Sequence, residues 1–287
     1  MTTPDTVKAS SPLRHIKTRS ASPDLRYFPD FLILGPQRTG TTWLYFNLSM
    51  HPEVLMNRLK ETYYFNTLGQ EDHSHFRYPY LEDYLASFKE TFVERLQKQY
   101  VCLRKSFCLY NPKVIGEATA SYATIPEEIV SEIVQIRPDV KGILMLRNPV
   151  ERAWSHTKKS LVRGKPAGTP ICMDELRKFL SSEGQRQRAD YPTMIDRWKR
   201  HLAPGNLYLG RYDRISQEPK KLLNEIETFL GVTTDALYLN RHLTTRVNPT
   251  EELDMTPEVK ELLEDFYRKD VESYTEILVS LDAQSVK

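Results

Sequence analysis

Apolar positions in this chain fall into short unbroken runs separated by longer segments of helical period. Phe31-Leu-Ile-Leu-Gly35 and Gly142-Ile-Leu-Met-Leu146 have strand length and no polar alternation, the pattern of strands covered on both faces. The spacing predicts strands at 31–35, 113–116, 142–147 and 206–211. It predicts helices at 42–50, 80–99, 126–136, 149–162, 172–182, 191–201, 218–230 and 257–268. Strands alternating with helices imply an α/β fold of three layers, a central parallel sheet flanked by helices. Ligands of such sheets sit beyond the carboxyl ends of the strands, so the junctions that follow residues 35 and 147 are where chemistry is expected. The Tyr- and Phe-rich stretch 66–112 is less regular and reads as part of the wall of a binding site. Residues 160–170 read as a loop suited to a lid.

The first junction is Gly35-Pro-Gln-Arg38-Thr39-Gly40-Thr41-Thr42-Trp43. A glycine-punctuated turn leading into a helix aims backbone N–H groups and the helix dipole at an anion. Gly35 and Gly40 have the spacing of a nucleotide-binding P-loop, but Thr41 stands where such a loop carries its lysine. No predicted strand ends in a carboxylate able to help hold Mg²⁺. The loop therefore suits an anion and not metal-assisted ATP hydrolysis. A P-loop nucleotide kinase is the rival reading, and a nucleotide-binding module without chemistry is a second. The other junction is Arg147-Asn-Pro-Val-Glu-Arg-Ala-Trp-Ser155-His156. Pro149 suits the first turn of a helix. The Arg147 fork and the Ser155 hydroxyl, eight residues apart, can converge on one anion.

Together the two motifs resemble those of sulfotransferases that use 3′-phosphoadenosine 5′-phosphosulfate (PAPS). That family's loop is close to G-x-x-K/R-S/T-G-T-T. Arg38 stands where many members have lysine, as in the tyrosylprotein branch. The resemblance implies a P-loop-like fold, PAPS as donor, adenosine 3′,5′-bisphosphate (PAP) as product, and no metal. It assigns Arg38, Thr39, Gly40, Thr41 and Thr42 to the 5′-phosphosulfate, with Arg38 also stabilising charge in the transition state. It assigns Arg147 and Ser155 to the 3′-phosphate. Lys60-Glu61-Thr-Tyr-Tyr-Phe65 is similar to the K-E-x-x-F-F stretch of heparan-type and bacterial members, which makes Glu61 the candidate general base. His73, His75 and His156 are rival bases.

Gly116-Glu117-Ala118-Thr-Ala-Ser121-Tyr122 resembles the family's G-E-K-S-P-x-Y segment, with Ala118 in place of the common lysine. Glu117 and Ser121 are acceptor-side candidates. Trp43 and Tyr191 are candidates for stacking on the adenine. Arg241, His242 and Arg246 lie where the family carries a basic closing loop. The K-G-R string of heparan-type members is absent there, and Arg246 is the cofactor-binding candidate.

The motifs spread from residue 31 to 246 of 287, which favours one domain over 30–287 behind a flexible polar tail, 1–29. A net charge of +2 argues against bulk nucleic-acid affinity. Three cysteines form neither a disulfide framework nor a zinc pattern. No apolar run reaches spanning length, and residues 1–29 lack the apolar centre of a secretory signal. The expectation is a soluble, cytoplasmic enzyme that sulfates a hydroxyl or amine of a small molecule such as a natural product. A glycan or lipid acceptor is the alternative.

Overall fold

The computed structural model describes residues 13–166, 169, 171–234, 243 and 253–285. Five strands form one parallel sheet: β1 (Phe31–Gly35), β2 (Val54–Met56), β3 (Val114–Ala118), β4 (Lys141–Leu146) and β5 (Leu207–Arg211), in the order β2-β3-β1-β4-β5. The helices between and after them are α1 (Thr41–Ser49), α2 (Leu81–Ala86), α3 (Phe92–Ser106), α4 (Glu127–Ile136), α5 (Pro149–Thr157), α6 (Met173–Ser181), α7 (Glu183–Gln187), α8 (Tyr191–His201), α9 (Arg214–Gln217), α10 (Pro219–Leu230), α11 (Pro257–Phe266) and α12 (Arg268–Ser285).

The unbroken apolar strands serve two cores. Successive side chains point to opposite faces of a strand. Leu32, Leu34, Leu144 and Leu146 pack with Ile129 and Ile133 of α4 and Trp198 of α8. Phe31, Ile33, Ile143 and Met145 pack on the other face with Leu44 of α1 and with Leu222, Ile226 and Leu230 of α10. β1 and β4 thereby bury both faces, as their unbroken apolar runs imply.

Three expectations change. The helix expected at 80–99 is two helices, because α2 stops at Ala86 and Thr91 caps a new start through a reciprocal capping box with Glu94. The helix expected over 149–162 turns π-helical over Lys158–Val162, so residues 160–162 of the expected loop belong to a wound segment. The N-terminal tail is fixed from residue 13 onward: Glu132 accepts the backbone N–H groups of Arg14 (2.8 Å), His15 (3.0 Å) and Ile16 (2.9 Å), and Ile16 is buried. A buried carboxylate with three such donors holds the segment against α4.

The strand order places β1 between β3 and β4. Consequently three chain segments leave the same edge of the sheet side by side: the loop after β1, the turn after β3 and the start of α5 after β4. The site is built there.

Candidate functional site

The loop after β1 needs its glycines. Gly35 has φ 107°, and a Cβ there would lie 2.0 Å from the Ala120 carbonyl oxygen. Gly40 has φ 89° and caps α1 with no side chain of its own, so nothing on the cap residue covers the start of the helix. Thr39 is fully buried and its hydroxyl donates to the Pro36 carbonyl (2.7 Å), so Thr39 shapes the loop from within.

Arg38 holds a left-handed backbone at φ 73°, a conformation that costs a non-glycine residue of order 1 kcal/mol. Its Nε donates to Ser155 Oγ (2.9 Å), and its carbonyl accepts from Arg147 Nη1 (3.2 Å). The two motifs, over a hundred residues apart in sequence, thus meet in one cluster. Arg147 leaves the end of β4, and its guanidinium lies 4.1 Å above the centre of the Tyr212 ring. Asn148 caps α5 by accepting the N–H groups of Val150 (3.0 Å) and Glu151 (3.3 Å), and Pro149 occupies the first turn. That cap fixes the helix on which Ser155 sits, two turns on.

The cluster carries excess positive charge. Burial, with Arg147 close by, pushes the Arg38 guanidinium below its ordinary value. Lys159, one helical turn beyond Ser155 in the π-helical segment, is likewise pushed down by burial, then by Arg38, Lys60 and Arg163, with Glu61 opposing. Cations that depress one another form a site for a multiply charged anion.

Glu61 stands beside this cluster. Its N–H donates to the Ala118 carbonyl at the end of β3 (2.8 Å), and its carboxylate accepts from the Ala120 N–H (3.0 Å) and from Lys60. Its backbone is also left-handed, φ 67°. Among the described residues four non-glycines have positive φ, and two of them are the candidate cation Arg38 and the candidate base Glu61.

The remaining sequence candidates have other surroundings. Tyr191 is fully buried; its hydroxyl donates to the Arg147 carbonyl (2.6 Å) and accepts from the Arg147 N–H (3.3 Å). It therefore positions Arg147 and offers no ring face to a purine. Trp43 is buried in the core with its indole N–H on the Leu243 carbonyl (3.2 Å), because so large an apolar surface is more stable inside the sheet–helix interface. His156 is held by Gln185 (2.8 Å), and burial, with Arg152 and Arg188 nearby, pushes its pKa down to about 3. His73 and His75 lie in an exposed segment, His75 stacked on Tyr63. Arg241, His242 and Arg246 lie outside the described residues.

Glu117 is not an acceptor-side group. It is fully buried, and Thr62, Thr119 (2.6 Å), Tyr84 and Tyr122 (3.3 Å) all donate to its two oxygens. Burial raises its carboxyl pKa and the four hydroxyls oppose the rise. The network ties β3 to the segment carrying Glu61. Glu117→Gln, which puts an N–H₂ donor among hydroxyl donors, is expected to cost about 1–3 kcal/mol. Thermal unfolding should show a lower Tm; an unchanged Tm would remove the network from the fold's support.

A family model described as the sulfotransferase domain matches residues 28–252. The chain belongs to the sulfotransferase family. This sulfotransferase is 26% identical over 220 residues to the bifunctional heparan sulfate N-deacetylase/N-sulfotransferase 1 of Xenopus laevis, a match covering 72% of this chain and 22% of that protein. It is 32% identical over 152 residues to carbohydrate sulfotransferase 15 of Homo sapiens, covering 46% of this chain and 27% of that protein. The matched stretch thus spans only about a quarter of either relative's length. In fold the sulfotransferase is similar to the solved sulfotransferase from Alicyclobacillus acidocaldarius, with a TM-score of 0.60 at 22% identity, covering 88% of this chain and 96% of that one. Tyr212, under Arg147, and Lys159, which interacts electrostatically with Arg38, are candidate site residues that sequence reasoning missed. A pairing signal existed for Lys159 alone, its four-residue spacing from Ser155.

Proposed function

We propose that this sulfotransferase moves a sulfuryl group from PAPS to a hydroxyl or amine of a saccharide. The observation that carries the donor assignment is the meeting of Arg38, Arg147 and Ser155 at one sheet edge, with Lys159 close to Arg38. A nucleotide with phosphates at both 3′ and 5′ positions supplies the negative charge this cluster lacks. The loop amides and Arg38 take the 5′-phosphosulfate. Arg147 and Ser155 take the 3′-phosphate. Glu61 accepts the acceptor's proton as its O or N attacks sulfur; the S–O bond to the 5′-phosphate breaks, and PAP leaves with that electron pair. Arg38 and the start of α1 face the charge that grows on the leaving oxygen. The saccharide acceptor is favoured over a small natural product by the glycan-directed names of both relatives.

Calorimetry with PAP against ATP plus Mg²⁺ tests the donor site, and preferential ATP binding rejects it. Transfer of labelled sulfate from PAPS to a panel of saccharides, phenols and alkanols tests the acceptor. Transfer to phenols alone rejects the saccharide.

Lys159 provides a pH test. Only its ammonium form attracts the anion, and its pKa in the free protein lies below the ordinary 10.5. Bound PAPS stabilises the ammonium, so affinity is full below the depressed pKa and declines as pH rises through it, beginning short of 10.5. Lys159→Met is expected to raise KM for PAPS about tenfold and to remove that decline. Lys159→Arg should keep affinity and postpone the decline. A KM for Lys159→Met equal to wild type places Lys159 outside the site.

A further inference from the structure

Helix α3 is inverted relative to an ordinary surface helix. Its apolar stripe faces water. Phe92, Val93, Leu96, Tyr100 and Leu103 are between 47% and 76% exposed. At 3.6 residues per turn they fall within one arc of roughly 100°. The opposite side of α3 is the anchored one. There Glu94 pairs with Arg58, Lys98 pairs with Glu90 (2.7 Å) and reaches the Tyr110 hydroxyl (3.2 Å), and Cys102 is buried. The stripe continues past the helix end at Phe107, which is 88% exposed. A run of large apolar side chains held outward in this way marks a docking surface.

Charge selects its occupant. Residues 89–113 hold six cations (Lys89, Arg95, Lys98, Arg104, Lys105, Lys113) and two carboxylates (Glu90, Glu94), a net +4 against +2 for the whole chain. Both carboxylates are already paired, and so are Lys98 with Glu90 and Lys113 with Glu53 (2.6 Å), which leaves Lys89, Arg95 and Arg104, with Lys105 next in sequence, as the charge a partner meets. Two copies of α3 laid face to face would bring these positive segments together. α3 offers a partner one side only, the apolar stripe with its basic flanks, because its opposite side is already anchored. A flat anionic surface meets both conditions, since apolar side chains enter its interface while flanking Lys and Arg meet its headgroups.

We propose that α3 docks this protein on an anionic lipid bilayer, lying in the interface plane. No described helix is long and apolar enough to cross a membrane, and none needs to. The Arg58–Glu94 pair ties the start of α3 to the segment that carries Glu61, so docking holds the candidate base near the lipid surface.

The test is co-sedimentation of the full chain with phosphatidylcholine vesicles and with vesicles containing phosphatidylserine. Binding is expected to the second, falling as salt is raised. Leu96→Asp/Leu103→Asp should lower the bound fraction at least ~10-fold, with circular dichroism unchanged because both positions are exposed. Arg95→Glu/Arg104→Glu should remove the preference for phosphatidylserine. The proposal is overturned if wild type ignores anionic vesicles, or if the Asp pair binds them as well as wild type. It is equally overturned if light scattering finds a dimer that the Asp pair dissolves, since the stripe then belongs to a second copy.

Discussion

Arg38→Ala is expected to lower kcat/KM for sulfuryl transfer by about 10²–10³-fold, the usual cost of one preorganised donor to transition-state charge. The geometry gives Arg38 two tasks. Its side chain holds the Ser155 hydroxyl (2.9 Å), and its carbonyl is held by Arg147 (3.2 Å). The backbone contact survives truncation; the guanidinium does not. Binding of PAP, which has no sulfuryl group, should therefore weaken less than turnover. Arg38→Lys separates charge from shape, because lysine keeps the cation on the same left-handed backbone but lacks the planar fork. It should recover part of the lost rate. Pre-steady-state transfer from PAPS together with calorimetry on PAP reads the two effects. A turnover of Arg38→Ala within about threefold of wild type would leave the cluster without its catalytic cation.

The parts of this site that were readable in the sequence are local. An apolar run, a glycine turn and a helix start lie within a dozen residues around Arg38, and an apolar run and a helix start likewise flank Arg147. Parallel pairing of β1 with β4 then brings both junctions together, which the alternation of strands and helices already implied. What was not readable depends on contacts distant in sequence. Tyr212 becomes a platform for Arg147 only because β5 lies next to β4. Glu117 could pass for an acceptor-side group because two of the hydroxyls that enclose it, those of Thr62 and Tyr84, come from 55 and 33 residues away. Trp43 and Tyr191 carry the right aromatic chemistry for adenine, but a sequence does not reveal burial. β2 was missed because three residues have no measurable period. α12 is a different case: Val271, Tyr274, Leu278 and Leu281 have helical spacing, so its signal was present.

Glu61→Gln is expected to lower kcat about 10²-fold or more while PAP affinity stays within about threefold of wild type. The substitution is close to isosteric. Its amide oxygen can still accept the Ala120 N–H, so the left-handed turn at residue 61 keeps its anchor. What is lost is the capacity to take a proton and the charge that pairs with Lys60. In the structure Lys60 and the Ala120 N–H engage the two carboxylate oxygens, so proton transfer requires Lys60 to yield its place to the acceptor's O–H or N–H. An incoming sulfuryl group offers Lys60 another partner, and exchange of partners would free the base as the donor binds. Lys60→Met should then raise KM for PAPS more than it lowers kcat, whereas Glu61→Gln should act on kcat alone. The histidines provide the contrast. His156 is neutral at pH 7, with its pKa pushed down to about 3, and its Nδ1 is engaged by Gln185. If Glu61→Gln retains more than about a third of wild-type turnover, the proton goes to another group. His75, stacked on Tyr63 two residues from Glu61, is then the side chain to replace next.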